Sequence, residues 1–367
     1  MAEKPAIAKY FDVMRKRGAS DLHLKVGSPP SVRVHGDLEP LEDETMTEER
    51  ILGLLEGIAT PRQLESYHAT GNLDFAFGTA DARFRLNVFR QRGHTSVAVR
   101  LVHRLIKDFE ELHLPKSVAG VAEFSQGMVI VAGITGSGKS TTLAAMIEHI
   151  NEHRRCHIVT IEDPIEYVYD DKRSFINQRE VGIDVADFNT ALKYVVREDP
   201  DVILIGEMRD RETIASAMAA AETGHLVFGT LHTSSAPQTL DRVLSFFPRE
   251  RHRLLRHGLA FNLKAIICQT LLPSIAEGID RVPAVEVLLS SPIIRKIILD
   301  EEDEKLADAI RIGREEGMQD FTESLRQLVV EGLVDRRVAF EHAPNLEALK
   351  MALAGIVGGD TGLLGNM

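Results

Sequence analysis

Gly133-Ile134-Thr135-Gly136-Ser137-Gly138-Lys139-Ser140 is the stretch from which the rest of the chain can be read. It fits the pattern GxxxxGK followed by Ser or Thr, it comes after the apolar run Met128 to Ala132, and it opens a helix-forming segment through Thr141-Thr142-Leu143-Ala144. The glycines let backbone N–H groups turn inward around phosphate oxygens, and the helix start adds positive potential. The Lys139 ammonium neutralises the outer phosphates, and the Ser140 hydroxyl is placed to ligate Mg2+. A chance match has odds of about 1% in a chain of ordinary composition, and the strand before and helix after lower them. Gly133, Thr135, Gly136, Ser137, Gly138, Lys139, Ser140 and Thr141 are therefore the candidate nucleotide-binding residues, with ATP and Mg2+ as the expected ligands.

Outward from this loop, apolar runs of strand length alternate with helix-length amphipathic segments. The runs are Met128 to Ala132, His157 to Ile161, Val202 to Ile205 and Leu226 to Leu231. Such alternation predicts an α/β fold with a mostly parallel sheet and crossover helices. In an open sheet of this kind ligands sit beyond the carboxyl ends of the strands, so acids there are the ones to examine. His157 to Ile161 runs into Glu162-Asp163-Pro164-Ile165-Glu166, and Val202 to Ile205 runs into Gly206-Glu207. Each acid alone reads as a solvated loop residue, but several at two strand ends beside a phosphate loop favour chemistry. Glu207 is assigned to the metal and its water, Glu166 to the general base.

Thr223 to Thr233 carries a histidine at each end of a strand, His225 and His232, roughly 23 Å apart, so both cannot touch one phosphate. His232, at the carboxyl end, is the nucleotide-side candidate; for His225 a structural hydrogen-bonding role and an interface role stay open. Phosphoryl transfer in such sites commonly uses a further cation, worth about 10³ to 10⁵ in rate. No arginine is read inside the catalytic motifs, so the search moves to Arg83-Phe84-Arg85-Leu86-Asn87-Val88-Phe89. There the arginines share one face and the apolar residues the other. Arg85, with Arg100 on the next strand, is the candidate; the plain alternative is a solvated strand face.

Residues 1 to about 105 read as a smaller α+β domain. An opening helix is followed by strand patterns at Ser20 to Val26 and Ser31 to His35, a helix near Glu48 to Glu56, and a meander over Leu73 to Phe77, Ala82 to Gln91 and Thr95 to Val102, with a turn at Gly78 to Asp81. Residues 106–120 read as linker, 121–290 as the nucleotide-binding domain, 291–357 as a helical region and 358–367 as a flexible tail. The chain has 367 residues, 44% of them hydrophobic, and a net charge of −12. That is enough apolar content for a substantial core, and the negative balance weighs against a general nucleic-acid binder. Two cysteines, Cys156 and Cys268, exclude a zinc site built on CxxC pairs and fit a reducing compartment. No run approaches the roughly 18 apolar residues of a membrane span.

Taken together, these motifs resemble the secretion-superfamily ATPases that drive type II secretion and type IV pili, and within them the PilT/PilU retraction ATPases. The likeness runs over nearly the whole chain. It rests on Ser20-Asp21-Leu22-His23-Leu24, the phosphate loop, Thr160 to Glu166, Gln178-Arg179-Glu180-Val181, Arg197 to Asp201 leading into Gly206 to Asp210, and the histidine segment. It implies a RecA-like P-loop motor domain joined to an N-terminal PAS-like α+β domain, with a helical C-terminal region, assembled as a homohexamer. It also implies Glu166 as base, Glu207 as the acid after the metal-side strand, and Arg85 and Arg100 directed to the nucleotide. The partners implied are an inner-membrane platform protein of the PilC kind and, in some systems, a paralogous retraction ATPase, with no nucleic acid. The expected location is the cytoplasm, at the face of the inner membrane, through the partner. Absence of a tetracysteine motif points to retraction rather than extension. Leu299 stands where a retraction motif on Pro292 to Leu299 ends in arginine, and Asn262 to Ile266 and Phe246-Phe247-Pro248 look more like PilU, so primary and accessory roles both stay open. A DNA-uptake or type IV secretion motor, and a DNA translocase or helicase, are the rival readings.

Overall fold

The computed structural model describes residues 5–34, 36–79, 82–102 and 105–355. The tail from Gly358 to Met367, His35 at the end of one expected strand and Asp81 in the expected turn lie outside them. The chain divides into two compact units, Met1–Leu105 with Glu166–Val168, and Ile106–Ile165 with Tyr169–Met367.

In the first unit, helix α1 (Ala8–Arg17) buries Tyr10, Phe11 and Met14 and stops at Gly18, whose φ of 64° suits a residue without Cβ. Strands β1 (Asp21–Lys25), β2 (Ser31–Val34) and β3 (Asp37–Pro40) follow. Helix α2 (Glu48–Glu56) is capped by Thr47, and α3 (Pro61–Thr70) by a reciprocal Thr60–Gln63 pair with proline at its first position. Strands β4 (Asn72–Gly78), β5 (Arg83–Gln91) and β6 (His94–Val102) complete a six-stranded antiparallel sheet in the order β3-β2-β1-β6-β5-β4. The face of β5 is decided by its apolar residues. Phe84, Leu86 and Val88 are fully buried, each stabilising by about 1.5–3 kcal/mol, and the period of two then turns Arg83, Arg85 and Asn87 to the other side. The sequence reading anticipated five of these strands, α1 and α2; it did not anticipate β3 or α3.

The second unit begins with α4 (Lys116–Ala122), which buries Val118, Val121 and Ala122 at the end of the stretch read as linker. Then come β7 (Gly127–Ala132), α5 (Lys139–His153), β8 (His157–Glu162), β9 (Phe175–Glu180), α6 (Phe188–Val195), β10 (Val202–Ile205), α7 (Arg211–Glu222), β11 (Leu226–Leu231) and α8 (Ala236–Ser245). Helix α9 (His252–Asn262) leads into β12 (Leu263–Pro273) and β13 (Arg281–Leu289). The seven-stranded sheet has the order β13-β12-β7-β11-β10-β8-β9, and every neighbouring pair is parallel except β12 with β13. Strands β7, β10 and β11 are buried along their whole length, as expected for a sheet covered by helices on both faces. The chain ends its described part in α10 (Pro292–Leu299), α11 (Leu306–Ile312), α12 (Phe321–Val330), α13 (Arg336–His342) and α14 (Leu346–Leu353), the helical region expected there. The mostly parallel α/β reading holds, and β9, β12 and β13 are strands the sequence reading did not foresee.

Candidate active site

Three glycines shape the phosphate loop between β7 and α5. Gly133, Gly136 and Gly138 have φ of 151°, 79° and 91°, a region side chains rarely adopt. At Gly133 and Gly138 space forbids side chains as well. A Cβ on Gly133 would lie 2.3 Å from Ser137 Oγ, and one on Gly138 would lie 2.8 Å from the Gln269 side-chain nitrogen. Gln269, on β12, donates from that nitrogen to the Ser137 carbonyl at 2.7 Å and is 2% exposed, so the loop is pinned from the strand beside it. Lys139 Nζ donates to the carbonyls of Gly133 and Ile134 at 2.7 and 3.0 Å. A cradle that a Cβ would fill, at the start of a fifteen-residue helix, fits a phosphate chain.

The chain leaving β10 is strapped on both sides. Gly206 N–H donates to Ile161 O at 2.8 Å and Met208 N–H to Thr230 O at 3.1 Å, while Thr230 Oγ1 donates to Gly206 O at 2.5 Å. A side chain at Gly206 would be crowded, since its Cβ would meet Ile161 O at 3.1 Å. Asp210 then caps α7, accepting from Thr213 N–H at 2.8 Å. Glu207 and Arg209, on either side of the strapped Met208, carry the charge. Glu207 lies 3.2 Å from His232 Nε2 and 2.8 Å from an Arg209 nitrogen. Arg209 reaches Asp163 at 3.8 Å. Burial acts to raise the Glu207 carboxyl, but Arg209 above all, with His232 and Lys139, outweighs it and holds the group below its ordinary value. Burial also pushes the Lys139 ammonium down, against the pull of Glu207.

Of the residues singled out from sequence, Lys139, Glu207 and His232 thus come together in the second unit. Ser140 and Thr141 lie in the first turn of α5. Glu166 stands beyond the end of β8 in the short segment that belongs with the first unit. Arg85 and Arg100 face each other across β5 and β6; Arg100 is bound to Asp21 at 2.8 Å. His225 settles into structure, its Nδ1 2.8 Å from the Ala220 carbonyl at the end of α7. One reading is corrected. An arginine does lie inside the catalytic motifs, because Arg209 doubles back onto the acid two residues before it. Among the described residues no group of three or more His, Cys, Asp or Glu could hold a metal by itself.

A parallel sheet with a phosphate loop after one inner strand and an ionised acid after another defines a P-loop ATPase. The chain belongs to the type II/IV secretion system protein family, whose model matches residues 7–310. It is 43% identical over 92% of its length to the type IV pilus retractation ATPase PilT of Pseudomonas aeruginosa, 98% of which is covered. It is 38% identical over 94% of its length to the type IV pilus ATPase PilU of the same organism, 90% of which is covered. A crystal structure of the pilus retraction motor PilT with bound ADP matches with a TM-score of 0.87 and 41% identity, over 94% of this chain and 98% of that one.

Proposed function

We propose that the chain is the ATP-hydrolysing subunit of a homohexameric motor that powers type IV pilus retraction. The observation that carries this reading is the cluster of Lys139, Glu207 and His232 beyond the carboxyl ends of the inner strands β7, β10 and β11, in a chain similar over 92% of its length to a retraction ATPase. In this reading Lys139 and the loop amides from Gly133 to Thr141 bind the phosphates, and Ser140 with Glu207 holds Mg2+. With too few protein ligands to hold the ion alone, the nucleotide would complete its shell. When bound, Mg2+ neutralises charge on the phosphates. Glu166 accepts the proton of the attacking water, and His232 orients Glu207.

Arg85 and Arg100 supply cationic charge to the nucleotide of the same or a neighbouring subunit. Like charges directly opposite on paired strands repel, and Arg85 has no ion-pair partner among the described residues, so an anion arriving there would be welcome. The ring would work at the cytoplasmic face of the inner membrane on a platform protein of the PilC kind, alone or beside a paralogous retraction ATPase.

Deleting the gene and scoring pili and twitching tests the proposal. Hyperpiliated, non-motile cells, restored by the wild-type gene but not by Lys139→Ala, are expected. Normal twitching in the deletion strain rules out a primary motor, and bald cells rule out retraction.

A further inference from the structure

We propose that the edge strand β9 positions the Glu166 segment, with Gln178 and Glu180 gripping its two ends. The inference rests on Glu166 being the base. Phe175-Ile176-Asn177-Gln178-Arg179-Glu180 is a polar strand at the border of the sheet. Exposed polar residues on such a strand need no explanation, since they discourage edge pairing. Glu180, however, is turned inward and 4% exposed, and a buried carboxylate is costly unless it is bound.

What it binds is backbone. Glu180 Oε2 accepts the Ile165 N–H at 3.3 Å, and Gln178 Oε1 accepts the Tyr169 N–H at 3.1 Å. Ile165 and Tyr169 are themselves buried, 5% and 9% exposed, and they bracket Glu166–Val168. Residues 178 and 180 share one face of the strand, so two successive inward side chains hold the two ends of one short segment.

Each grip is fixed from behind. The Gln178 amide nitrogen donates to Glu162 Oε1 at 3.2 Å, and Thr160 Oγ1 donates to the same oxygen at 2.6 Å. With its nitrogen committed to a carboxylate, Gln178 can present only its oxygen to Tyr169. Glu180 N–H donates to Asp184 Oδ2 at 2.8 Å. The register sets Gln178 beside Thr160 and Glu180 beside Glu162, so the grip is referred to β8, the strand from which the segment departs. A displacement of about 1 Å in a reacting group can cost on the order of 10²-fold in rate, which is the reason for holding both ends. Gln178 and Glu180 are positioning residues and touch no reactant.

The test uses the full-length protein. Gln178→Ala and Glu180→Ala should each lower kcat about 10- to 100-fold with the KM for ATP changed less than about threefold. Amide hydrogen exchange over residues 163–169 should accelerate. Glu180→Gln, which keeps an acceptor oxygen for Ile165, should recover most of the turnover, and it stands in if Glu180→Ala does not fold. In a Glu166→Gln background, adding Gln178→Ala should cost little more, because the group being positioned is already gone. Unchanged exchange in Gln178→Ala overturns the grip. Faster exchange with wild-type kcat overturns its role in catalysis, as does the same fold-loss with and without Glu166. Wild-type turnover in Glu166→Gln alone removes the base itself, an outcome separable from failure of the grip because exchange is read independently.

Discussion

Glu207, just beyond β10, and Glu286, on β13, are both carboxylates of the second unit, and their surroundings push them in opposite directions. Glu286 lies on β13, 8% exposed, beside Cys268 on β12. Its Oε1 accepts the Ala236 N–H at 2.7 Å at the start of α8. Burial, with the charge of Asp320 adding to it and the Ala236 N–H opposing it, pushes this group up to about 7. Burial raises Glu207 too, but there Arg209, His232 and Lys139 reverse the outcome. Both acids lose water; only one gains cations. The acid beyond β10 is therefore held as an anion, while the acid on β13 serves as a hydrogen-bond acceptor under a helix start and is near half-protonated at neutral pH.

The contrast breaks most severely at Lys139. Lys139→Ala removes both the phosphate ligand and one of the cations beside Glu207, and turnover should fall about 10³-fold or more, measured as phosphate release at saturating ATP. Turnover at the wild-type rate would mean that the phosphate loop is not where hydrolysis occurs. Glu207→Gln keeps the shape and deletes the charge, and kcat should drop about 10²-fold. An equal drop from Glu286→Gln would erase the distinction between the two acids.

Arg209→Ala sharpens the comparison instead of breaking it. Losing its hydrogen bond and charge lets burial act on Glu207 with less opposition, so the folded-state pKa of the carboxyl rises. Activity that needs the anion should then disappear on acidification at a higher pH than in the wild type, with kcat at neutral pH lowered up to about tenfold. An acid limb that does not move would show that Arg209 acts elsewhere.

How much of this was legible depends on which faces a segment buries. Strands β7, β8, β10 and β11 were read to within a residue because burial on both faces makes them continuous apolar runs. β9 was missed because an edge strand with one polar face, Asn177 and Arg179 outward and Gln178 and Glu180 inward, has no apolar period at all. β13 carries Pro283 and Glu286, both of which argue against a strand until its edge position is known, and β12 is interrupted by Lys264, Gln269 and Thr270. α3 buries only Tyr67, so no stripe announced it. The phosphate loop and Glu207 were legible because their chemistry is local in sequence. Arg209 was in plain view, yet linear spacing does not reveal a side chain that turns back. Gln269 and Gln178 act on backbone groups 132 and 9 residues away, and no pattern of residue types marks such bonds.

Glu286 gives the smallest effect and the one with a defined pH window. In the unfolded chain its carboxyl titrates near its ordinary value of 4.5, and in the fold near 7. Between those values the unfolded state gives up a proton that the folded state keeps, so stability falls as pH rises through the window, by up to about 3 kcal/mol from this group. Glu286→Gln removes the titration and retains an oxygen for the Ala236 N–H. It should be close to neutral at pH 5 and stabilising by about 1–3 kcal/mol at pH 8, a shift of a few degrees in Tm, with kcat changed less than about twofold. The Cys268 thiol, pushed well up by burial, stays neutral across this range and does not confuse the reading. Melting curves of the two proteins at the two pH values decide it. A gap that stays constant with pH would mean that Glu286 is already ionised at neutrality, and burial in this sheet would then no longer separate the structural acid from the working one.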